Sequence, residues 1–138
     1  MTMASEETQR SSSFESDKNT ILLVDDDQMV LSVTKQLLER LGYQVIKAQG
    51  GEEAVTLALN FRDRIAVAIL DMVMPGMDGP ATFRRLRQMM PDLKVLLCSG
   101  YVESDQVHDL VENGAVGFIR KPFDRRTLEK ELRAVLRG

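Results

Sequence analysis

The chain has 138 residues, 43% of them hydrophobic and 28% charged, with a net charge of −3, which is one ordinary globular domain by size and composition. Its mild acidity and the lack of a visible basic stripe argue against nucleic acid as a direct partner, and no apolar stretch nears the roughly 18 residues of a membrane span. The single cysteine, Cys98, excludes an internal disulfide and makes a reducing cytoplasm the natural setting.

Residues 1–19 are rich in Ser, Thr and charge, with Phe14 as their only aromatic. They read as a flexible tail or linker, leaving 20–138 as the domain. The opening residues Met1–Glu7 are polar and acidic, unlike a secretory signal. From Thr20 onward, short apolar runs alternate with stretches of helical period. The runs are Ile21–Asp25, Gln44–Ala48, Ile65–Asp71, Leu93–Cys98 and Val116–Ile119. Several are apolar at every position, as strands covered on both faces must be.

Between the runs, Val30, Val33, Leu37 and Leu41 predict the inward stripe of a first helix that Gly42 ends. Ala54, Leu57, Ala58 and Phe61 predict the second stripe. Phe83, Leu86 and Met90 predict the third, stopped by Pro91. Val107, Leu110 and Val111 predict the fourth, closed by Asn113-Gly114. The fifth starts at Asp124 as N-cap and turns Leu128, Leu132, Val135 and Leu136 inward. Strict alternation of five strands and five helices predicts an α/β fold with a parallel sheet and right-handed crossovers. Half of a barrel is the competing architecture, and it would leave open edges.

Open parallel sheets bind ligands beyond the carboxyl ends of their strands. The first predicted strand ends in Asp25 and Asp26, the third in Asp71, the fourth in Ser99 and the fifth in Lys121. The second offers nothing comparable, so strand order 2-1-3-4-5 brings the four active ends together. Two carboxylates 4 Å apart repel by about 4 kcal/mol at an effective dielectric of about 20. Three of them therefore call for a cation, or for one acid to turn neutral. Oxygen ligands with retained waters suit Mg²⁺. Lys121 adds a second positive charge, Ser99 a hydroxyl donor and Gly100 open space. The set suits phosphoryl transfer to an aspartate.

On the segments Leu23–Asp27, Leu70–Gly79, Cys98–Tyr101 and Gly117–Phe123, residues 20–137 resemble the receiver domain of two-component response regulators. Each segment alone is a weak motif; four in the right order on the right strand ends are specific. The resemblance implies a flavodoxin-like (βα)5 three-layer sandwich. It implies that Asp71 accepts a phosphoryl group from a histidine kinase or histidine phosphotransfer domain. It further implies Mg²⁺ held by Asp26 and Asp71 directly, by Asp25 through water and by the backbone carbonyl of Val73. Ser99 and Lys121 would bind the phosphoryl oxygens, and the Lys121–Pro122 bond would be cis. Phe118 stands where the family has its rotating aromatic, so Ser99 and Phe118 would switch the face made by the fourth helix, fifth strand and fifth helix. That face is also where a phosphorylation-dependent dimer would form. Val73 and Tyr101, flanking the site, would tune the phosphoryl lifetime.

Blander roles fit several residues. Asp27 reads as a helix N-cap, Asp78-Gly79 as a turn and helix start, His108 as a surface histidine, Cys98 as a small buried hydrophobe, and Met72, Met74, Met77, Met89 and Met90 as packing. Two other functions compete with this one. A phosphohydrolase resembling the haloacid-dehalogenase-like enzymes would carry its nucleophile on the first strand and need a cap domain. A phosphorylation-independent binding module would not need the full set of acids, hydroxyl and lysine. The Ser-rich segment and Leu97–Tyr101 favour the receiver of a hybrid histidine kinase over a single-domain regulator.

Overall fold

Five parallel strands alternate with five helices in the computed structural model, which describes residues 19–100 and 104–137. They are β1 (Thr20–Val24), α1 (Gln28–Arg40), β2 (Gln44–Ala48), α2 (Gly51–Asn60), β3 (Ile65–Asp71), α3 (Gly79–Met89), β4 (Lys94–Ser99), α4 (Ser104–Glu112), β5 (Gly117–Arg120) and α5 (Arg125–Arg137). The linker reading of 1–19 falls almost wholly outside the described residues, as does the role given to Tyr101.

The sheet order is β2-β1-β3-β4-β5, as the placement of the active strand ends requires. β1, β3 and β4 are covered on both sides and apolar between their ends, where Thr20, Asp71, Lys94 and Ser99 stand, with the first residue of β4 and the second of β3 half-exposed. Alternate residues of each strand serve opposite cores. Leu22, Val24, Ala68, Leu70, Val95 and Leu97 meet Ala54, Ala58, Phe83, Leu86 and Leu110 from α2, α3 and α4. Ile21, Leu23, Val67, Ile69, Leu96 and Cys98 meet Leu31 and Leu38 of α1 and Leu128, Leu132 and Val135 of α5. The molecule is thus a three-layer sandwich. β2, at one edge, buries only Ala48 fully.

Helix starts follow short polar side chains. Asp27 accepts from the N–H groups of Met29 and Val30, Asp78 from Ala81, and Asp124 from Thr127. Each satisfies donors that the first turn leaves open. Gly42, at φ +102°, ends α1 in the left-handed region where a side chain would be strained.

The inward stripes need three corrections. On α1 the buried row is Leu31, Thr34 and Leu38, one residue along from the expected one, and Val33 is 54% exposed. Both rows have helical spacing, and a polar Thr34 hides the true one. On α2, Val55 is buried and Phe61 lies at the surface beyond the helix. On α4, Leu110 points inward while Val111 is exposed. The absence of a basic stripe also needs correcting, because Arg126, Lys130, Arg133 and Arg137 all fall on the exposed side of α5. Their spacing of four, three and four puts them on one helical face, with Glu129 pairing Arg133 at 2.9 Å.

Candidate functional site

The carboxyl ends of β1, β3, β4 and β5 meet at one edge of the sheet. Register pairs Val24 with Leu70, so Asp25 and Asp71 are neighbours one step further on. Cys98 pairs with Asp71, and Ser99 with Arg120, which delivers Lys121 beside them. Asp25, Asp26 and Asp71 each offer an oxygen within 4.8 Å of the others. Asp25 and Asp71 are buried and Asp26 is exposed.

Lys121 reaches into this cluster. Its Nζ donates to Asp25 Oδ2 at 2.7 Å and lies 3.5 Å from Asp71 Oδ2. The other oxygen of Asp25 accepts the N–H of Asp27 at 2.9 Å. Asp71 Oδ1 accepts a long contact from the Val73 N–H, 3.4 Å. The Lys121 N–H donates to the Ser99 carbonyl at 2.8 Å, which ties the base of the lysine to the end of β4. The Lys121–Pro122 bond is cis, as the resemblance implied.

Burial, then the charge of Asp25, raises the Asp71 carboxyl from 3.8 to about 6, against the pull of Lys121. Burial also works against the Lys121 charge, yet the hydrogen bond to Asp25 and the field of Asp71 prevail and hold its ammonium above the ordinary range. Asp71 is therefore ionised at neutral pH, but it is the strained member of the set. Cys98, 3% exposed beside it, is pushed by burial to about 12. Its thiol is a packing group, as read from the sequence.

The donor set fits a hard divalent cation. Around an octahedral Mg²⁺ with bonds of roughly 2.1 Å, neighbouring oxygens stand about 3 Å apart and opposite ones about 4.2 Å. Three acids with oxygens within 4.8 Å of one another are close enough to share one ion, two directly and the third through water.

The loop after Asp71 is held from several sides. The Met72 N–H donates to the Cys98 carbonyl at 2.9 Å, and the Gly79 N–H returns to the Met72 carbonyl at 3.1 Å. A Cβ on Gly79 would stand 2.6 Å from the Asp71 carbonyl oxygen, so the close return needs glycine there. A Cβ on Gly51 would strike the Thr82 hydroxyl, itself bonded to the Asp78 carbonyl at 2.7 Å. α2 is thereby packed against the start of α3 beneath the site. Sequence reading took Asp78-Gly79 as turn and helix start, which holds, but missed the part Gly51 and Thr82 play. Nothing in the local pattern marks either residue, because their contact is made between two helices.

Among the other expected residues, Ser99 is 2% exposed at the end of β4. Phe118 pairs with Leu97 across the sheet and packs, half-buried, against the core of α2, α3 and α4. Val73 is 57% exposed at the mouth of the site. His108 lies on the surface of α4, 3.5 Å from Glu112.

The model of the response regulator receiver domain family matches residues 21–133. The transcriptional regulatory protein CpxR of Escherichia coli (strain K12) is 41% identical over 119 residues, 86% of this chain and 50% of that protein. The sensor kinase CckA of Brucella abortus (strain 2308) is 34% identical over 117 residues, 85% of this chain and 12% of that protein. Among solved structures, the CheX–CheY–BeF3–Mg complex from Borrelia burgdorferi superposes with a TM-score of 0.81 at 30% identity, over 84% of this chain and 87% of that one. The chain spans half or less of these two curated relatives.

Proposed function

The chain belongs to the response regulator receiver domain family, the phosphoacceptor module of two-component signalling, and we propose that Asp71 is its phosphoacceptor. The observation that carries this is the convergence of Asp25, Asp26 and Asp71 within 4.8 Å, with the Lys121 ammonium 3.5 Å from Asp71. Asp71 is buried, raised in pKa by its surroundings and touched at Oδ1 by a long 3.4 Å contact from the Val73 N–H. Asp25, by contrast, has both oxygens engaged, by Asp27 and Lys121, and Asp26 lies exposed at the rim.

In the proposed reaction a carboxylate oxygen of Asp71 attacks phosphorus in line, and the phosphorus–nitrogen bond to the donor histidine breaks. The imidazole leaves with the bonding pair and takes up a proton. Receiver domains bind Mg²⁺ at an acidic cluster, and here Asp26 and Asp71 would hold it directly, Asp25 through water and Val73 by its carbonyl. When bound, the ion neutralises charge that builds on the phosphoryl oxygens. Lys121 and the Ser99 hydroxyl receive those oxygens, which fixes the phosphoryl group without covalent help from other side chains.

The acyl phosphate adds nearly two negative charges at the end of β3. Ser99 follows the new oxygens, Phe118 turns toward the space it leaves, and the surface of α4, β5 and α5 changes for a partner that discriminates the two states. A phosphorylation-dependent dimer is one such partner. The donor is a histidine kinase or phosphotransfer domain, and the domain catalyses its own phosphorylation and dephosphorylation without turning over a separate substrate. The similarity to CckA, a sensor kinase, is compatible with the receiver of a hybrid kinase.

Incubation with acetyl phosphate and Mg²⁺, read by intact mass, tests the assignment. One phosphoryl adduct is expected on the wild type and none on Asp71→Asn. No adduct where a known receiver is labelled, or equal labelling of the variant, would overturn it.

A further inference from the structure

We propose that the outer crest of α5 is a docking strip for an acidic helix of a partner protein, held by charge and independent of the phosphoryl group on Asp71. Arg126, Lys130, Arg133 and Arg137 are all exposed. At 100° per residue they lie roughly half a turn from Leu128, Leu132 and Val135, the residues that α5 buries. The row therefore points straight out from the molecule, over about 17 Å of helix. Five basic and two acidic residues give α5 a net charge of +3, while the chain as a whole carries −3. Among the described residues, the ion pair within the row is Arg133 with Glu129, at 2.9 Å. Arg126 and Lys130, Lys130 and Arg133, and Arg133 and Arg137 are like-charge neighbours four, three and four apart, an arrangement that weakens a helix on its own. Opposite charge from outside would relieve it.

The four cations, with Glu129 and the exposed Ala134, line a shallow groove of about 390 Å³. Its walls are charged, and Ala134 leaves room for close approach. A helix carrying Asp or Glu four, three and four apart presents the matching row. Duplex nucleic acid fits less well, because the remainder of the chain is net acidic and Glu129 stands within the row. The strip is also firmly seated. Leu128 and Leu132 are fully buried, and Lys94 Nζ donates to the Val135 carbonyl at 2.9 Å, which ties the last turn of α5 to the start of β4. Phe118, by contrast, packs on the opposite side of the sheet, against the core of α2, α3 and α4. A partner lying along the crest needs nothing from α4 or β5, so docking persists whether or not Asp71 is modified.

Fluorescence anisotropy tests this with the full chain and a labelled alanine-rich peptide bearing glutamates four, three and four apart. The wild type should bind the peptide at low salt and release it as salt rises. Lys130→Glu combined with Arg137→Glu should weaken binding on the order of tenfold. Arg125→Glu, on the same helix but off the row, should change it by less than about threefold. All three positions are exposed, so the variants should keep the wild-type circular dichroism. Asp71→Asn, and the wild type with acetyl phosphate and Mg²⁺, should bind as the untreated wild type does. No binding by the wild type, or no loss in the double variant, would overturn the strip. Equal binding of a peptide with the same glutamates scattered around its helix would overturn the match of rows, and that comparison uses the wild type alone. Tighter binding of duplex DNA than of the peptide would overturn the choice of partner. An affinity that moves with Asp71→Asn would overturn independence from the phosphoacceptor.

Discussion

Removing the charge of Asp71 should stabilise the metal-free protein. Asp71 ionises in the unfolded chain near 3.8 and in the folded one at about 6. The folded state therefore favours the protonated acid. That advantage is complete below the unfolded value and is lost as pH rises through the folded one, so above pH 6 the fold carries the full cost of a crowded carboxylate. About two pKa units make the cost on the order of 3 kcal/mol at pH 7.5, and it falls by roughly half at pH 5. Asp71→Asn does not titrate, and other groups largely cancel in the comparison. Urea unfolding in EDTA should find the variant more stable by up to about 3 kcal/mol at pH 7.5, or roughly 10 °C in melting temperature for a domain of this size. The gain should shrink by about half at pH 5. Saturating Mg²⁺ should narrow or reverse it, because ligand binding stabilises the wild type selectively. A variant no more stable than wild type in EDTA, with no pH dependence in the difference, would refute the crowding that underlies the site.

Two further substitutions test the frame that carries it. Leu31→Ala should cost about 2–4 kcal/mol and Val33→Ser less than about 0.5, because the first is buried and the second 54% exposed; similar losses by chemical denaturation would show the phase of α1 to be wrong. Gly79→Ala should lose about 1–3 kcal/mol from overpacking and slow acetyl phosphate labelling of Asp71, since its Cβ would stand 2.6 Å from the Asp71 carbonyl. Gly50→Ala, with nothing within 4 Å of its Cβ, is the control, and equal effects at both glycines would sink the explanation.

Much of this was legible in the sequence because the fold advertises it locally. A strand covered on both faces has to be apolar throughout, so β1, β3 and β4 stood out, and the first polar residues after them marked the sheet's functional edge. Asp27, Asp78 and Asp124 were readable as caps for a similarly local reason: a short acid before a helix has N–H groups to satisfy. Phase around a helix is less local. Val30, Val33 and Leu37 repeat as regularly as Leu31, Thr34 and Leu38, and only packing against β1 and α5 selects the second row. Periodicity locates a helix but cannot choose between adjacent rows when both carry apolar residues.

The least legible layer was which charges pair. The strand ends predicted that three acids and one lysine would meet, and that the acids would need a cation. They could not say that the lysine would bind Asp25 more closely than Asp71, because Lys121 and Asp25 are 96 residues apart in the chain and their contact depends on the register of four strands. Yet that detail assigns different work to chemically identical side chains. Asp25, with both oxygens engaged, serves as the anchor for the lysine. Asp71, pushed toward neutrality by burial and by Asp25, gains most from a metal, from a phosphoryl group or from losing its charge. The same strain that makes Asp71 costly to the empty fold is what makes it responsive to phosphorylation and metal loading, so stability in EDTA and labelling by acetyl phosphate should move in opposite directions when Asp71 is replaced by asparagine.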